Sequence, residues 1–104
     1  MDCVFCKIVE GLVPSKKVYE DEKILAFHDI SPKAPVHVLV IPKEHIESAA
    51  AVTVAHKELL GHIWTMIPQI AEQLGVADSF RVLTNSGAGS GQVVFHLHFH
   101  LQSP

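Results

Sequence analysis

Apolar and polar positions along this chain follow two periods, a helical repeat in one long central stretch and a strict two-residue alternation in the last apolar run, with short apolar runs before them. Val4 to Val9 reads as a short helical turn, closed by Gly11 and Pro14. Lys17 to Glu20 and Ile24 to Phe27 read as two short strands, with Glu20-Asp21-Glu22-Lys23 as the turn between them. Asp29 to Pro35 is a proline-punctuated loop, and Val36 to Ile41 is a β-branched strand ended by Pro42. From Thr53 to Leu74 the apolar residues Leu59, Leu60, Ile63, Trp64, Ile67, Ile70, Ala71 and Leu74 recur at helical spacing. Thr53 suits the N-cap and Gly75 the position just past the C-terminus. Pro68 lies inside this stretch, where a missing N–H predicts one bent helix.

Phe80 to Thr84 predicts a further strand, followed by the glycine-rich loop Asn85 to Gln92. The last apolar run, Val93 to Leu101, predicts a strand that carries His96, His98 and His100 at strict alternation. Side chains alternate across a strand, so three imidazoles would share one face with Val94, each roughly 6.5–7 Å from the next. Phe95, Leu97, Phe99 and Leu101 would bury the other face. A polar strand face is the plain explanation, but three groups titrating near neutrality on one rigid edge favour a site. Strands on both sides of one long helix, without βαβ alternation, predict an α+β fold with an antiparallel sheet. No repeat or linker divides the chain, so residues 1–104 are expected to form one domain.

Composition removes several function classes. The chain is 48% hydrophobic and 18% charged, which excludes disorder, and its net charge of −3 gives no basic field for nucleic acid. Met1 to Lys7 lacks the basic and apolar regions of a signal peptide, and no apolar run is long enough to span a membrane. Cys3 and Cys6 are too close to staple a secreted scaffold. A cytoplasmic protein is expected.

His96-Leu97-His98-Phe99-His100-Leu101-Gln102 resembles the motif of the histidine-triad nucleotide-binding proteins. The likeness extends over nearly the whole chain: Phe27 to His37, with His28 inside it, is similar to that family's nucleoside-binding segment. Ile41 to Ile46 and Asn85 to Gln92 are similar to its next segment and its phosphate-side loop. The opening Cys3-x-x-Cys6-Lys7-Ile8 favours the Hint branch over the fragile-histidine-triad branch. The resemblance implies a five-stranded antiparallel sheet with one long helix and a short N-terminal helix, paired into a homodimer.

It also implies hydrolysis or nucleotidyl transfer at the α-phosphate of a purine nucleotide of the AMP type, as in an adenosine phosphoramidase. His98 would be the nucleophile, since neutral imidazole attacks well near pH 7 and leaves readily. His100 would contact phosphate and act as a general acid in its imidazolium form, and His37 would hydrogen-bond nearby. His96 completes the triad. Asp29 would accept the ribose hydroxyls, although a turn-capping role explains it equally well. Phe5, Ile8, Phe27 and Ile30 would enclose the base, or be plain core. Asn85, Gly91 and Gln92 would face phosphate, or merely connect two strands. Val93 departs from relatives that carry a hydroxyl residue there, which bears on the leaving group. In the resembling family a tail past the triad reaches the partner's active site, and with Pro104 four residues after His100 the expectation of a substrate preference set by such a tail stays open.

One Cys-x-x-Cys is a weak metal signal, and two buried thiols are its plain explanation. His45 and His96 can complete a Cys₂His₂ zinc site of the kind the resemblance suggests, and four protein ligands would make that zinc structural. None would be required for the chemical step. A metal-dependent hydrolase is the rival, with His96, His98 and His37 or His100 around a catalytic zinc. A non-catalytic nucleotide-binding scaffold is the other. His56 and His62 read as solvated helix residues.

Overall fold

A computed structural model describes residues 3–104; Met1 and Asp2, the start of the expected leaderless opening, lie outside the described residues. The elements are α1 (Val4–Val9), β1 (Lys17–Glu20), β2 (Ile24–His28), β3 (Val36–Pro42), α2 (Lys57–Gln73), β4 (Arg81–Leu83) and β5 (Phe99–Ser103). The strands form one antiparallel sheet in the order β1-β2-β3-β5-β4. The α+β expectation and its five strands therefore hold. No helix among the described residues is long and apolar enough to cross a membrane.

Period-two alternation builds both faces of this sheet. Ile24 and Ala26 of β2, Val38 and Val40 of β3, and Phe99 and Leu101 of β5 point to α2. They pack there on Ile63, Ile67, Ile70 and Ala71, whose spacing makes one stripe of the helix. Burying each large aliphatic side chain contributes roughly 1.5–3 kcal/mol, and this is the main core. The intervening residues Leu25, Phe27, Leu39 and Ile41 point to α1 and bury Phe5 and Ile8. The register His37↔Gln102 and Leu39↔His100 then brings polar residues of β3 and β5 onto that same face.

Three expectations need correction. The histidine strand does not begin at Val93: ladder pairing starts at Phe99, and residues 93–98 are irregular. Phe95 is accordingly 43% exposed rather than buried. Alternation alone could not show that the ladder to β3 stops at Val40↔Phe99, although β3 itself runs on to Pro42. The helix also starts later than Thr53, because 3₁₀ turns at Ala49–Ala51 and Val54–His56 precede it. Thr53 caps the second turn, with its hydroxyl accepting from the Ala55 N–H. Past Pro68 it continues as one helix to Gln73, Leu74 is its C-cap, and Gly75 takes the left-handed φ of +76°.

The two helical histidines are not simply solvated. His56 Nδ1 accepts from the Thr53 N–H, and its Nε2 lies 3.3 Å from a Glu44 carboxylate oxygen. His62 Nε2 stands 2.7 Å from Asp21 Oδ2, which also accepts from the Tyr19 hydroxyl. Asp21 Oδ1 takes the Lys23 and Ile24 N–H groups. One carboxylate therefore closes the β1–β2 turn and anchors α2 to it.

Candidate functional site

A cavity of about 600 Å³ opens on the α1 face of the sheet, between α1, the loop after β2 and the glycine-rich loop. Phe5, Ile8 and Phe27 form its buried apolar wall, with Phe5 set edge-on to Phe27 at 5.5 Å. Ile30 borders the same cavity but is 97% exposed, so it encloses nothing as it stands. His28 and Asp29 line the cavity beside it.

His37, His98 and His100 line its polar end. The Lys33 N–H donates to His37 Nδ1 at 2.9 Å, so the His37 proton resides on Nε2. That proton is donated to His100 Nδ1, 2.8 Å away, which leaves the His100 proton on Nε2. His100 Nε2 is buried and has no partner among the described residues, a donor waiting for an acceptor. Burial, with His98 and His37 beside it, pushes the His100 pKa down to about 4. Burial likewise lowers that of His37. Both rings are neutral near pH 7, so the imidazolium expected at His100 is not the form this network holds.

The His98 ring donates from Nδ1 to the His96 carbonyl at 2.7 Å, which leaves a lone pair on Nε2. Phe5 sits edge-on to the same ring at 5.2 Å. Asp29 divides its carboxylate: Oδ1 accepts from the Ser31 N–H at 2.8 Å, and Oδ2 lies 3.4 Å from His37 Nε2. The turn-capping explanation of Asp29 is therefore real, and one oxygen still faces the histidines.

Asn85 and Gly91 line the cavity at the glycine-rich loop, where φ is +93° at Gly87 and +98° at Gly91. Only glycine holds those turns without strain. Gln92 takes another part. Its Oε1 accepts from the Gly87 N–H, while Nε2 donates to the Glu47 and Val94 carbonyls. Its amide braces the loop from inside and has no donor left for a phosphate. Val93 stands at the cavity rim, 84% exposed, and Val94 packs toward α1.

The remaining triad residue belongs to a second cluster. His96 is fully buried, its Nε2 donates to the Pro42 carbonyl at 2.8 Å, and its Nδ1 faces Cys3, Cys6 and His45. Separations from His96 Nδ1 are 3.4 Å to Cys3 Sγ, 3.6 Å to Cys6 Sγ and 3.2 Å to His45 Nδ1. Cys6 Sγ is 3.3 Å from His45 Nδ1. Zinc–nitrogen and zinc–sulfur bond lengths give tetrahedral edges of about 3.4 Å between nitrogens and about 3.6 Å between nitrogen and sulfur. The donor set fits a tetrahedral ion. Burial and the neighbouring Cys3 push the Cys6 thiol up to about 11, so a metal would displace protons here.

The rival metallohydrolase needs His96, His98 and His37 or His100 around one point. The side chains separate instead into the cysteine cluster and a trio of Asp29, His37 and His100, and His98 belongs to neither. Within that trio the 2.8 Å contact is a hydrogen bond, shorter than two zinc-bound nitrogens allow.

Sequence reasoning missed several supports. The Thr84 hydroxyl donates to the His98 carbonyl at 2.7 Å, and the Gln102 amide, held by Arg81 Nε, lies beside His37. Gln102 was detectable, since it shares strand parity with His100. The Lys33 N–H and the Pro42 carbonyl are main-chain groups, which no residue type announces.

A model of the HIT domain matches residues 10–103. Protein HitA of Neisseria gonorrhoeae is 46% identical over 100 residues, which span 96% of this chain and 94% of HitA. A solved HIT family hydrolase from Clostridium thermocellum is similar at a TM-score of 0.96 and 46% identity, covering 99% of this chain and 90% of the hydrolase. A solved histidine triad nucleotide-binding protein from Candida albicans is similar at a TM-score of 0.88 and 36% identity, over 96% of this chain and 73% of the other.

Proposed function

The chain belongs to the HIT domain family, and from that membership we propose that it hydrolyses purine nucleoside phosphoramidates through a nucleotidyl-histidine intermediate on His98. One observation carries this reading: His98 is fixed with its Nε2 lone pair free, beside the unpartnered Nε2–H of His100. The relatives named hydrolase and nucleotide-binding protein support hydrolysis and a nucleotide ligand.

In the first step the His98 Nε2 lone pair attacks the α-phosphorus. An N–P bond forms, the bond from phosphorus to the amine breaks, and the amine, protonated from solvent, departs neutral. The positive charge that develops on the His98 ring is stabilised through its Nδ1–H by the His96 carbonyl. Neutral His100 donates its Nε2–H to a phosphoryl oxygen, taking an electrostatic role in place of the general-acid role. Water then attacks phosphorus, the N–P bond breaks, and the proton from water passes to solvent. Asp29 would receive the ribose hydroxyls, and Phe5, Ile8 and Phe27 would flank the purine. Asn85 and the Gly91 backbone would approach the phosphate.

The test is rapid alkaline quenching during turnover of adenosine phosphoramidate, followed by peptide mass spectrometry without acidification, which would cleave the N–P bond. Adenylylated His98 is the expected finding. A burst-free reaction with no adduct on any histidine would sink the mechanism. Tight AMP binding without turnover would favour the scaffold reading.

We also propose that Cys3, Cys6, His45 and His96 hold a structural zinc, because their four donors leave no coordination position open. Bound there, the ion would cross-link α1 to the catalytic segment. Cys3→Ser is expected to lower zinc content and Tm together. Unchanged zinc content would leave the thiols as core. A homodimer completes the proposal, its support being Trp64, half exposed on α2 and edge-on to Phe99 at 5.7 Å. Sedimentation equilibrium of the Trp64→Ala variant tests it: a dissociated variant is expected, and a monomeric parent would remove the idea.

A further inference from the structure

We propose that the cysteine–histidine cluster, when it holds a metal, positions the nucleophile by fixing the peptide unit between His96 and Leu97. The inference rests on His98 being the nucleophile, as proposed above.

The carbonyl of that peptide unit accepts the His98 Nδ1–H at 2.7 Å and so decides which His98 nitrogen carries the lone pair. The N–H of the same peptide unit, on Leu97, donates to the Ile46 carbonyl at 2.6 Å. Both ends of this plane thus lead to the cluster. His96 supplies the carbonyl and one imidazole ligand, and Ile46 follows directly on His45, the other imidazole ligand.

Apart from the burial of His96 and Leu97, no sheet pairing restrains the plane. Residues 93–98 make no ladder with the sheet, whose pairing begins at Phe99. The Thr84 hydroxyl holds the carbonyl of His98, one peptide unit further on. Among the described residues, the main chains of the His45–Ile46 and His96–Leu97 segments are joined by the Leu97–Ile46 hydrogen bond, the side chains meet only through the His45, His96 and Cys6 contacts of the cluster itself, and Pro42 secures the His96 ring. A metal would bind two imidazoles now 3.2 Å apart and set both segments at once.

The same cluster also sets the roof of the cavity. The Cys3 thiol caps α1 by accepting from the Cys6 N–H at 3.3 Å. Phe5, between these cysteines, touches the His96 and His98 rings edge-on at 6.0 and 5.2 Å. Metal loading would therefore order the nucleophile and one wall of its base slot together. Removing the partners that orient a metal-ligating histidine typically changes metal affinity or activity by about ten- to a hundredfold.

The test compares zinc-loaded and chelator-stripped protein by ¹⁵N-histidine NMR, with circular dichroism following the fold and calorimetry following AMP affinity. Loaded protein is expected to show His98 as the Nδ1–H tautomer alone. Stripping should bring in the Nε2–H form and weaken AMP binding by about tenfold. An Ile70→Val variant, altered in the core beneath α2, controls for loss of stability and should keep the single tautomer. If stripping unfolds the chain, the Cys6→Ser variant replaces it, because the Cys3 cap stays and one ligand is lost. The same tautomer and affinity in folded loaded and stripped or Cys6→Ser protein would overturn the proposal, as would failure to bind zinc at all. The tautomer is read without substrate, so a shift with no phosphoramidate turnover would count against the proposed reaction alone.

Discussion

His37 Nε2 stands 2.8 Å from His100 Nδ1, and the Lys33 N–H on the far side of the His37 ring fixes which of them carries the shared proton. The direction of that hydrogen bond assigns His100 its outward Nε2–H. An imidazole that receives its orientation this way depends on its partner more than on its own strand. His37→Ala should therefore reduce turnover about a hundredfold, with AMP binding weakened less. It should also cost about 1–3 kcal/mol of stability, because the Lys33 N–H and His100 Nδ1 lose their partners. In a double-mutant cycle, His100→Ala should then add little to the loss already caused by His37→Ala. Fully additive losses in turnover would mean that the two rings act independently.

His98→Ala should abolish turnover, by a factor of about 10⁴ or more, with folding and AMP binding retained. The ring is buried against Phe5, so a small stability loss is expected too. Steady-state hydrolysis with added AMP as a competitor separates the two effects. Undiminished turnover would remove His98 as the nucleophile.

Much of this architecture was legible because alternation and helical period are local signals. Ile24 to Phe27 and Val36 to Ile41 are nearly unbroken apolar runs because each strand is buried on both faces, one against α2 and the other against α1. The stripe from Ile63 to Ala71 announces α2 because it packs on the sheet. His96 shows where local signals stop. Its parity matches His98 and His100, and only the family resemblance, not the strand pattern, joined its ring to Cys3, Cys6 and His45, far apart along the chain. Gln92 is similar: an amide beside glycines looks like a phosphate ligand until its three hydrogen bonds prove to be internal. The sign of the His100 charge was hidden as well, since burial and the His37 contact decide it.

That neutral His100 has a consequence for stability. Its pKa is held near about 4, by burial first and by His98 and His37 next, against an ordinary value of 6.5. Between these values the unfolded chain binds a proton that the folded chain does not, so stability falls as pH is lowered through this window. Below the folded value both states are protonated and the loss levels off. Urea midpoints at pH 7, 5.5 and 4.5 should decline for the parent and decline less for His100→Asn. Subtracting the two series isolates His100 from His37 and His96, whose pKa values burial also lowers. Parallel declines would place the acid sensitivity elsewhere.

Asp29 separates a structural role from a binding role, because its two oxygens do different things. Oδ1 holds the Ser31 N–H and shapes the turn, while Oδ2 faces the histidines at the cavity edge. Asp29→Asn retains a carbonyl acceptor for Ser31 but loses the charge and half of the acceptor capacity offered to a ribose diol. Its AMP affinity should fall about tenfold, with a Tm close to that of the parent. Asp29→Ala loses the turn contact as well, so affinity and Tm should both fall. The dideoxy analogue of AMP has no hydroxyls to lose, and its affinity should be nearly the same for parent and Asp29→Asn. Equal losses for AMP and its dideoxy analogue would show that Asp29 acts through the turn alone.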